Sequence, residues 1–154
     1  HENSSAASDV YKRQKFIKKK LIMRDPNNPC LFCNINSKDL VFDNEFAFAS
    51  FDSYPVSKYH SLIVPKRHIL DYFELTNDEL LACNDLIKKI KKKIQNEDKT
   101  VDGFNIGTNS GVVAGQSIMH CHIHLIPRRK GDVDNPQGGV RGVIPSKQHY
   151  IRKK

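Results

Sequence analysis

Three histidines at alternate positions carry the most chemistry in this sequence. His120, His122 and His124 lie within the segment MHCHIHLIPRR, residues 119–129. Alternate side chains of a β-strand point to one face, so these imidazoles form a strip of polar groups that need hydrogen-bond partners or a ligand. Imidazole can be neutral, and therefore nucleophilic, near pH 7. The row therefore indicates metal binding, proton transfer or bond formation rather than ordinary packing.

A single metal ion bound by all three histidines would be strained. Residues two apart in a strand lie about 6.6 Å apart and the outer pair about 13 Å, whereas zinc–nitrogen bonds are about 2.0–2.1 Å long. Two neighbouring imidazoles can converge on one ion more easily than three. A phosphate group suits the row better, because a central imidazole can attack phosphorus while a flanking one bonds to a phosphate oxygen.

The loop that precedes the histidines has the composition of an anion site with little fixed charge. Its glycines allow close backbone approach, and its neutral polar side chains supply hydrogen-bond donors. The glycines are Gly107, Gly111 and Gly115, and the polar residues are Asn109, Gln116 and Ser117. Joined to the H-x-H-x-H row, this loop predicts a phosphate site.

A C-x-x-C motif at Cys30 and Cys33 indicates a second centre. The motif follows DPNNP and precedes polar residues, whereas a thioredoxin-type motif lies where a strand opens into a helix. Metal binding is therefore favoured over redox chemistry, and tetrahedral closure needs two further ligands. Cys83 and Cys121 are expected to fill apolar space, and no structural disulfide is expected.

The elements that must position these residues can be predicted from periodicity. Thr76 to Glu79 form a capping box that opens a helix over 77–96, because apolar residues then recur every three to four positions. Alternating or β-rich segments predict strands at 46–51, 60–65, 102–109 and 119–128. The first two strands are expected to pair antiparallel. The glycine- and proline-rich tail from about residue 130 is expected to be mostly irregular.

The net charge of +8 is concentrated at the two ends of the chain. Residues 1–25 and 152–154 carry nearly all of it, which is weaker support for a nucleic-acid partner than a basic face would be. Residues 5–14 resemble a peptide translated from sequencing-adaptor DNA, so residues 1–25 are predicted to be non-native, and Met23 is a plausible true start. The alternative is a native, disordered basic arm. With no apolar run of membrane-spanning length, one cytoplasmic domain over 26–154 is expected.

The motifs together resemble a known family. NSGVVAGQSIMHCHIHLIPR, residues 109–128, resembles the signature of the histidine triad (HIT) superfamily of nucleotidyl hydrolases and transferases, and HSLIVPKRH, residues 60–68, resembles its second strand. The tail is similar to a bacterial-type branch often labelled diadenosine-polyphosphate-hydrolase-like. The resemblance implies an α+β fold: a mainly antiparallel five-stranded sheet with one long and one short helix. It also implies a homodimer.

The resemblance implies a role for each residue of the phosphate site. His122 matches the nucleophile that attacks the α-phosphate, and His124 matches the partner that contacts phosphate oxygens. His60 matches the histidine that supports the far side of the nucleophile. Gln116 and Ser117 match residues that hold phosphate or leaving-group oxygens, and Asn109 matches the loop residue beside them.

The resemblance also implies a nucleoside pocket and a metal site. Asp52 falls where the family has an acid that grips the ribose hydroxyls, and Leu31, Phe32 and Ile35 fall in its base pocket. Two positions depart from the family: Tyr59 replaces a frequent glycine, and Ser50 stands where some members have an aromatic residue. Similarity to zinc-bearing members implies a closed structural Zn²⁺ site formed by Cys30, Cys33, His68 and His120.

The implied activity is cleavage of a purine nucleotide at its α-phosphate through a covalent nucleotidyl-histidine, with release of a nucleoside monophosphate. Dinucleoside polyphosphates, such as diadenosine tetraphosphate, and nucleoside phosphoramidates remain open as substrates. The basic residues Arg128 to Lys130 and Arg141 could reach distal phosphates, or could lie in a solvated loop. The alternatives are a phosphorylase, a non-catalytic nucleotide-binding protein of the same fold, and action on adenylylated nucleic-acid ends.

Overall fold

The computed structural model describes residues 29–152, and these form an α+β domain built on one antiparallel sheet. The five strands are β1 (Leu40–Asp43), β2 (Ala47–Phe51), β3 (Ser61–Pro65), β4 (Val101–Gly107) and β5 (Ile123–Arg129). Their order in the sheet is β1-β2-β3-β5-β4, and every neighbouring pair is antiparallel. The predicted five-stranded α+β fold is confirmed. Residues 1–25, predicted to be non-native or disordered, lie outside the described residues.

One long helix, α1 (Asn77–Glu97), covers one face of the sheet. It begins at the predicted capping box, in which Thr76 and Glu79 satisfy each other's backbone N–H groups. Its apolar side, including Leu86, Ile90 and Ile94, packs against inward-facing residues of β2, β3 and β5 to form the main core. Within residues 29–152 the remaining helical elements are short 3₁₀ turns, such as Tyr72–Glu74, rather than a second α-helix. No helix in this part of the chain has the length and apolar composition to cross a membrane.

The opposite face of the sheet carries a smaller apolar cluster beside the histidine row. Phe48, Leu62 and Val64 point to this face and pack with Phe32 from the loop that carries the C-x-x-C motif. His124 lies opposite Leu62 in the register of β3 and β5, so it belongs to the same face. The helix-free face is therefore the face on which the chemistry-bearing residues gather.

The last strand is shorter than predicted. β5 begins at Ile123, so His120 and His122 precede it instead of lying within it. The ladder with β3 continues to the pair Ile63 and Ile123, and the next residue on that side of β3 is Pro65, which has no N–H to donate. The Pro65 carbonyl instead lies 2.8 Å from Nε2 of the His120 ring. Only His124, the last member of the histidine row, therefore lies within β5.

A partly buried ion pair between Arg67 and Glu79 ties the end of β3 to the start of α1. Arg67 donates from Nε and Nη2 to the two carboxylate oxygens of Glu79, at 2.7 and 2.8 Å, and from Nη2 to the Glu74 carbonyl at 2.9 Å. Glu79 is 4% exposed and also accepts the Thr76 N–H. The Arg67 hydrogen bonds hold the pKa of Glu79 below its usual range. This pair fixes the backbone next to His68.

Replacing Glu79 by glutamine should destabilise the domain by about 2 kcal/mol, because hydrogen bonds to a charged partner are lost in a buried site. The folded-state pKa of Glu79 is lowered, so its contribution is present above the unfolded pKa and is lost as the pH falls through the folded pKa. Urea unfolding at pH 7 and at pH 3 measures both effects. The variant should lose less stability than the wild type between these pH values.

Glu97→Gln is the matched control, because Glu97 forms an exposed i,i+4 pair with Lys93 on the same helix. Its effect should stay within about 0.5 kcal/mol at either pH. Equal losses in the two variants would contradict the role assigned to the Arg67–Glu79 pair.

Candidate active site and metal centre

Four side chains from three parts of the chain meet in one cluster. They are Cys30, Cys33, His68 and His120, and their potential ligand atoms all lie within 4.8 Å of one another. The His120 Nδ1 atom is 3.3 Å from the Cys30 Sγ and 3.5 Å from the Cys33 Sγ. The His68 Nδ1 atom is 3.2 Å from the Cys33 Sγ. The structure therefore brings together all four residues that were predicted as metal ligands.

The donor set fits a tetrahedral metal ion. With zinc–sulfur bonds of about 2.3 Å and zinc–nitrogen bonds of about 2.0–2.1 Å, the sulfur–nitrogen edges of a tetrahedron are about 3.6 Å, close to the separations in the cluster. The Pro65 carbonyl can only accept a hydrogen bond, so the contact at 2.8 Å places the His120 proton on Nε2. The lone pair of Nδ1 then faces the cysteines and can bind a metal ion. Burial lowers the pKa of His120, which keeps that lone pair available. The cluster can hold a metal ion.

His120 also determines the state of His122. The His122 Nδ1 atom is 2.8 Å from the backbone carbonyl oxygen of His120, so Nδ1 must carry the proton and donate it. The other ring nitrogen, Nε2, is then left with its lone pair, which is the form needed for nucleophilic attack. The Thr108 hydroxyl donates to the His122 carbonyl at 2.7 Å and fixes the backbone there. Thr108 was not predicted, since a threonine in a loop carries no specific signal.

Phe32 connects the metal cluster to His122. Its ring centroid is 5.8 Å from that of His120 in an edge-on arrangement and 5.1 Å from that of His122. Phe32 is 8% exposed and lies between Cys30 and Cys33 in the chain. Any ion that holds the two cysteines therefore also holds this ring against His122.

A second chain of hydrogen bonds runs through His60 and His124. The Val56 N–H donates to His60 Nδ1 at 3.3 Å, and His60 Nε2 is 3.0 Å from His124 Nδ1. If Nδ1 of His60 accepts, its Nε2 donates to His124, whose own Nε2 then carries a proton outward as a donor. The support of the far side of His122 by His60 is not tested by these contacts and stays a prediction. His60 contacts His124, while the backbone of His120 supports His122.

Both of these histidines are held neutral. Burial lowers the pKa of His60, although the Asp52 carboxylate, 3.4 Å from its Nδ1, opposes this change. Burial, followed by the neighbouring His122 and His60, lowers the pKa of His124 to about 4. His124 can therefore offer a phosphate a neutral hydrogen bond at pH 7 without carrying a full charge.

The glycine-bearing loop places its polar residues differently from the prediction. Gln116 is buried, and its amide is used within the protein: Oε1 accepts from Gly111 N at 2.8 Å, and Nε2 donates to the Leu70 carbonyl at 2.6 Å. Gln116 thus shapes the loop in this structure instead of presenting its amide to a phosphate. Ser117 is exposed, and Asn109 is half-buried at the edge of a cavity that His124 also lines.

The residues predicted to bind the nucleoside lie in two groups. Leu31 is exposed at 68%, while Phe32 and the half-buried Ile35 pack into the small cluster of the helix-free face. Asp52 accepts the Tyr54 N–H and lies beside His60. A ligand that touched both groups would cross the position of His122.

Tyr59 forms the turn that glycine often makes in the family. Its φ of 69° is the one positive value at a non-glycine residue in the described part of the chain. This backbone conformation costs an L-residue about 1–2 kcal/mol. The Tyr59 ring packs 5.5 Å from that of Phe51, which offsets part of the cost and keeps His60 in place.

The comparisons with known proteins agree with this geometry. The model of the HIT domain matches residues 34–131. The chain belongs to the histidine triad (HIT) family. An uncharacterised HIT-like protein of Methanocaldococcus jannaschii is 42% identical over 108 residues, which cover 67% of this chain and 81% of that protein. The family resemblance read from the motifs is confirmed.

Two further HIT proteins bear on chemistry and metal. The adenosine 5'-monophosphoramidase of Schizosaccharomyces pombe is 32% identical over 103 residues, which cover 64% of this chain and 74% of that protein. A zinc-bound histidine triad family protein from Mycobacterium smegmatis has a TM-score of 0.61 and 30% identity, covering 68% of this chain and 78% of that structure. Hydrolase chemistry and metal binding therefore both occur among the relatives of this HIT chain.

The arginines that were considered for distal phosphates are occupied in this HIT domain. Arg128 forms a two-pronged ion pair with Asp132 at 2.7 and 2.8 Å, and Arg129 pairs with Asp98 at 2.8 Å. Arg141 donates to backbone carbonyls in the tail, including that of Lys147 at 2.8 Å. The partner of Arg128 lies four residues further on, across the turn that follows β5, whereas that of Arg129 is 31 residues away.

Removing a metal ion from this cluster should destabilise the domain by several kcal/mol, because a bound ion would cross-link segments that are far apart in the chain. Protein purified without chelator should contain about one equivalent of a divalent metal, and Cys33→Ser should lower that content sharply. Elemental analysis and thermal unfolding with and without EDTA make the measurement.

Cys83→Ser provides the control, because Cys83 is buried in the main core away from the cluster. It should lower the melting temperature while leaving the metal content unchanged. Metal-free wild-type protein, or a Cys33→Ser variant that retains a full equivalent, would exclude the assignment.

Proposed function

We propose that this HIT protein is a nucleotidyl hydrolase that cleaves a purine nucleotide at its α-phosphate and releases a nucleoside monophosphate. One observation carries the proposal: the His120 carbonyl accepts a hydrogen bond from His122 Nδ1–H, so Nε2 is the nitrogen of the neutral imidazole that carries the lone pair for attack. His124, whose ring centroid lies 5.1 Å from that of His122, stands where it can bond to an oxygen of the same phosphate. Its similarity to a phosphoramidase supports the same class of reaction.

In the first step, Nε2 of His122 attacks phosphorus and forms a P–N bond. The bond from phosphorus to the leaving group breaks, the electron pair goes to the leaving group, and an amine leaving group takes up a proton from solvent. His122 becomes an imidazolium whose Nδ1–H still donates to the His120 carbonyl, so the carbonyl dipole stabilises the new positive charge. The neutral donor on His124 disperses charge on the phosphate oxygens.

In the second step, water attacks phosphorus, and the P–N bond breaks with its electrons returning to Nε2. The water loses a proton to solvent, and His122 is restored as the neutral tautomer. Two displacements at phosphorus give net retention of its configuration. Asn109 and Ser117 are proposed to contact phosphate or leaving-group oxygens. Asn109 lines the cavity that His124 also lines, and Ser117 is exposed next to Gln116, whose amide is used inside the loop.

We further propose that the nucleoside lies along the helix-free face and that zinc fills the metal cluster. Leu31, Phe32 and Ile35 would bound the base, and Asp52 would bind the ribose hydroxyls. Two thiolates and two imidazoles are the donor set that zinc prefers in closed sites, and such a site leaves no coordination position for substrate. The zinc would therefore act by positioning His120. A homodimer is proposed as the working assembly.

Two alternatives differ from hydrolysis in a measurable way. A phosphorylase would release a nucleoside diphosphate when inorganic phosphate replaces water as the acceptor. A non-catalytic nucleotide-binding protein would release nothing, but the hydrogen bond that orients the His122 ring through Nδ1 favours catalysis. Incubation with diadenosine tetraphosphate and with an adenosine phosphoramidate, with and without phosphate, separates these outcomes by chromatography of the products.

His122→Ala should lower turnover by at least about a thousandfold, because the covalent step is lost. Its affinity for a nucleoside monophosphate should remain within a few fold of the wild type. Rapid quenching of wild-type protein and mass spectrometry should reveal a nucleotidyl adduct on His122. His149→Ala, in an exposed tail position, is the control and should turn over normally. A His122→Ala protein with near-normal turnover would refute the mechanism.

Phe32→Leu should lower kcat about tenfold, because the ring no longer holds His122 in line with its target, and small displacements of reacting groups are costly. Phe48→Leu is a matched control: Phe48 is 4% exposed in the same cluster. Both variants should lose about 1–2 kcal/mol of stability. A rise in KM alone for Phe32→Leu would show that the ring serves base binding and not the positioning of His122.

A further inference from the structure

The four cysteines of the chain fall into two pairs with different surroundings. Cys83 and Cys121 are each 1% exposed, which shields their sulfur atoms from dissolved molecules. Cys30 and Cys33 are half-buried and belong to the metal cluster. Chemistry with a dissolved reagent is therefore open to one pair of thiols, the pair of the C-x-x-C motif.

A cavity of about 430 Å³ opens beside the metal cluster. Cys30 and His68 line it, together with the exposed side chains of Leu31, Leu70 and Met119. Among the residues that the structure describes, no Asp, Glu, Lys or Arg lines this cavity. A small uncharged molecule can therefore approach the Cys30 sulfur without meeting a charged group.

The two cysteines of the motif lie on one side of a single turn. The Asn34 N–H donates to the Cys30 carbonyl at 3.2 Å and closes this turn. Side chains three residues apart in a helical turn are neighbours, and the two sulfur atoms lie within 4.8 Å of each other. A disulfide bond is about 2.0 Å long. The sulfurs can therefore bond if the turn tightens, while the sheet and α1 keep their places.

We propose that the C-x-x-C pair is a site of oxidative modification, at which hydrogen peroxide converts Cys30 and Cys33 to a disulfide and so removes both thiolate ligands from the metal cluster. The inference goes beyond the proposed nucleotidyl hydrolase function. Only its consequence for turnover rests on that function.

The reaction consumes one peroxide and needs no other reagent. The sulfur of one cysteine attacks a peroxide oxygen, the O–O bond breaks, and the departing oxygen takes up a proton and leaves as water, so that a sulfenic acid remains. The second thiol attacks this sulfur, the S–O bond breaks, and a second water leaves. The two cysteines lose two electrons and two protons, and peroxide gains them. Because the thiolate is the metal ligand, a bound ion is then held by two histidines alone and dissociates.

The turn that tightens also carries a ring of the proposed active site. Phe32 lies between the two cysteines in the chain, and its ring centroid is 5.1 Å from that of His122. The His120 ring faces the Cys30 sulfur at 3.3 Å, and the backbone carbonyl of His120 accepts the hydrogen bond from His122. Oxidation should therefore displace the proposed nucleophile and lower kcat by about tenfold or more, because small displacements of reacting groups are costly.

The modification is measured directly on the full chain, purified without chelator. After treatment with a few equivalents of hydrogen peroxide, intact mass, peptide mapping and a chromogenic chelator report on the thiols and on released metal. The wild type should lose the mass of two hydrogen atoms, yield a linked Cys30–Cys33 peptide and release about one equivalent of metal. Dithiothreitol with added zinc should reverse all three changes, since a disulfide is reduced by thiols.

Cys83→Ser is the matched control, because it removes a shielded thiol and leaves the motif intact. It should form the disulfide at the wild-type rate, whereas Cys33→Ser should gain only oxygen. Peptide mapping of the wild type decides the site even if Cys33→Ser folds poorly. Retention of all thiols, a disulfide that includes Cys83, or oxygen added to Met119 before any disulfide forms would overturn the proposal.

Turnover of an adenosine phosphoramidate before and after oxidation tests the coupling to His122. An oxidised protein with unchanged kcat would overturn the coupling and leave the modification site standing. A reduced protein that releases no nucleoside monophosphate would overturn the proposed function, while the mass and metal measurements would still decide the modification site.

Discussion

The hydrogen bond from His122 Nδ1–H to the His120 carbonyl is the interaction on which the site depends. One residue serves two centres: the His120 ring faces the cysteines, and its backbone oxygen determines which nitrogen of His122 is free. A hydrogen bond from the Nε2 atom of the His120 ring to the Pro65 carbonyl fixes the direction in which the ring points. The cluster that can hold a metal ion and the proposed nucleophile therefore share one residue, His120.

The proposed phosphate site carries little fixed positive charge in the part of the chain that the structure describes, and two features explain this. The imidazoles of His60 and His124 are kept neutral by burial, and the nearby arginines are paired with carboxylates or backbone carbonyls. Neutral donors can stabilise a phosphate without binding the charged product strongly.

Motifs and periodicity allowed much of the molecule to be predicted. The capping box and the 3.6-residue period gave α1 to within one residue at its C-terminal end, since both are local properties of the chain. The four cysteine and histidine residues of the metal cluster were predicted because their types are specific and the family resemblance joined them. The start of β5 was misplaced, because strict alternation continues through His120 while the ladder with β3 ends at the pair Ile63 and Ile123, two residues before Pro65. The role of Gln116 toward phosphate stays a prediction, and its contacts with the Gly111 N–H and the Leu70 carbonyl could not be foreseen, since a buried amide bonds to whichever groups the fold brings near it.

The sequence by itself determined the residues able to act: the imidazole row, the cysteine pair, the glycine-bearing loop and the helix that backs the sheet. These features follow from residue type and short-range spacing, so they can be predicted without knowing which distant segments come into contact. Only the tertiary structure decided how they are used. The hydrogen bond of His122 to the His120 carbonyl depends on local backbone geometry. Some of the deciding contacts join distant segments: His60 with His124, Arg129 with Asp98, and the tail valines that line a cavity beside His124. Such contacts depend on the path of the whole chain, because hydrogen bonds form between groups that folding places together.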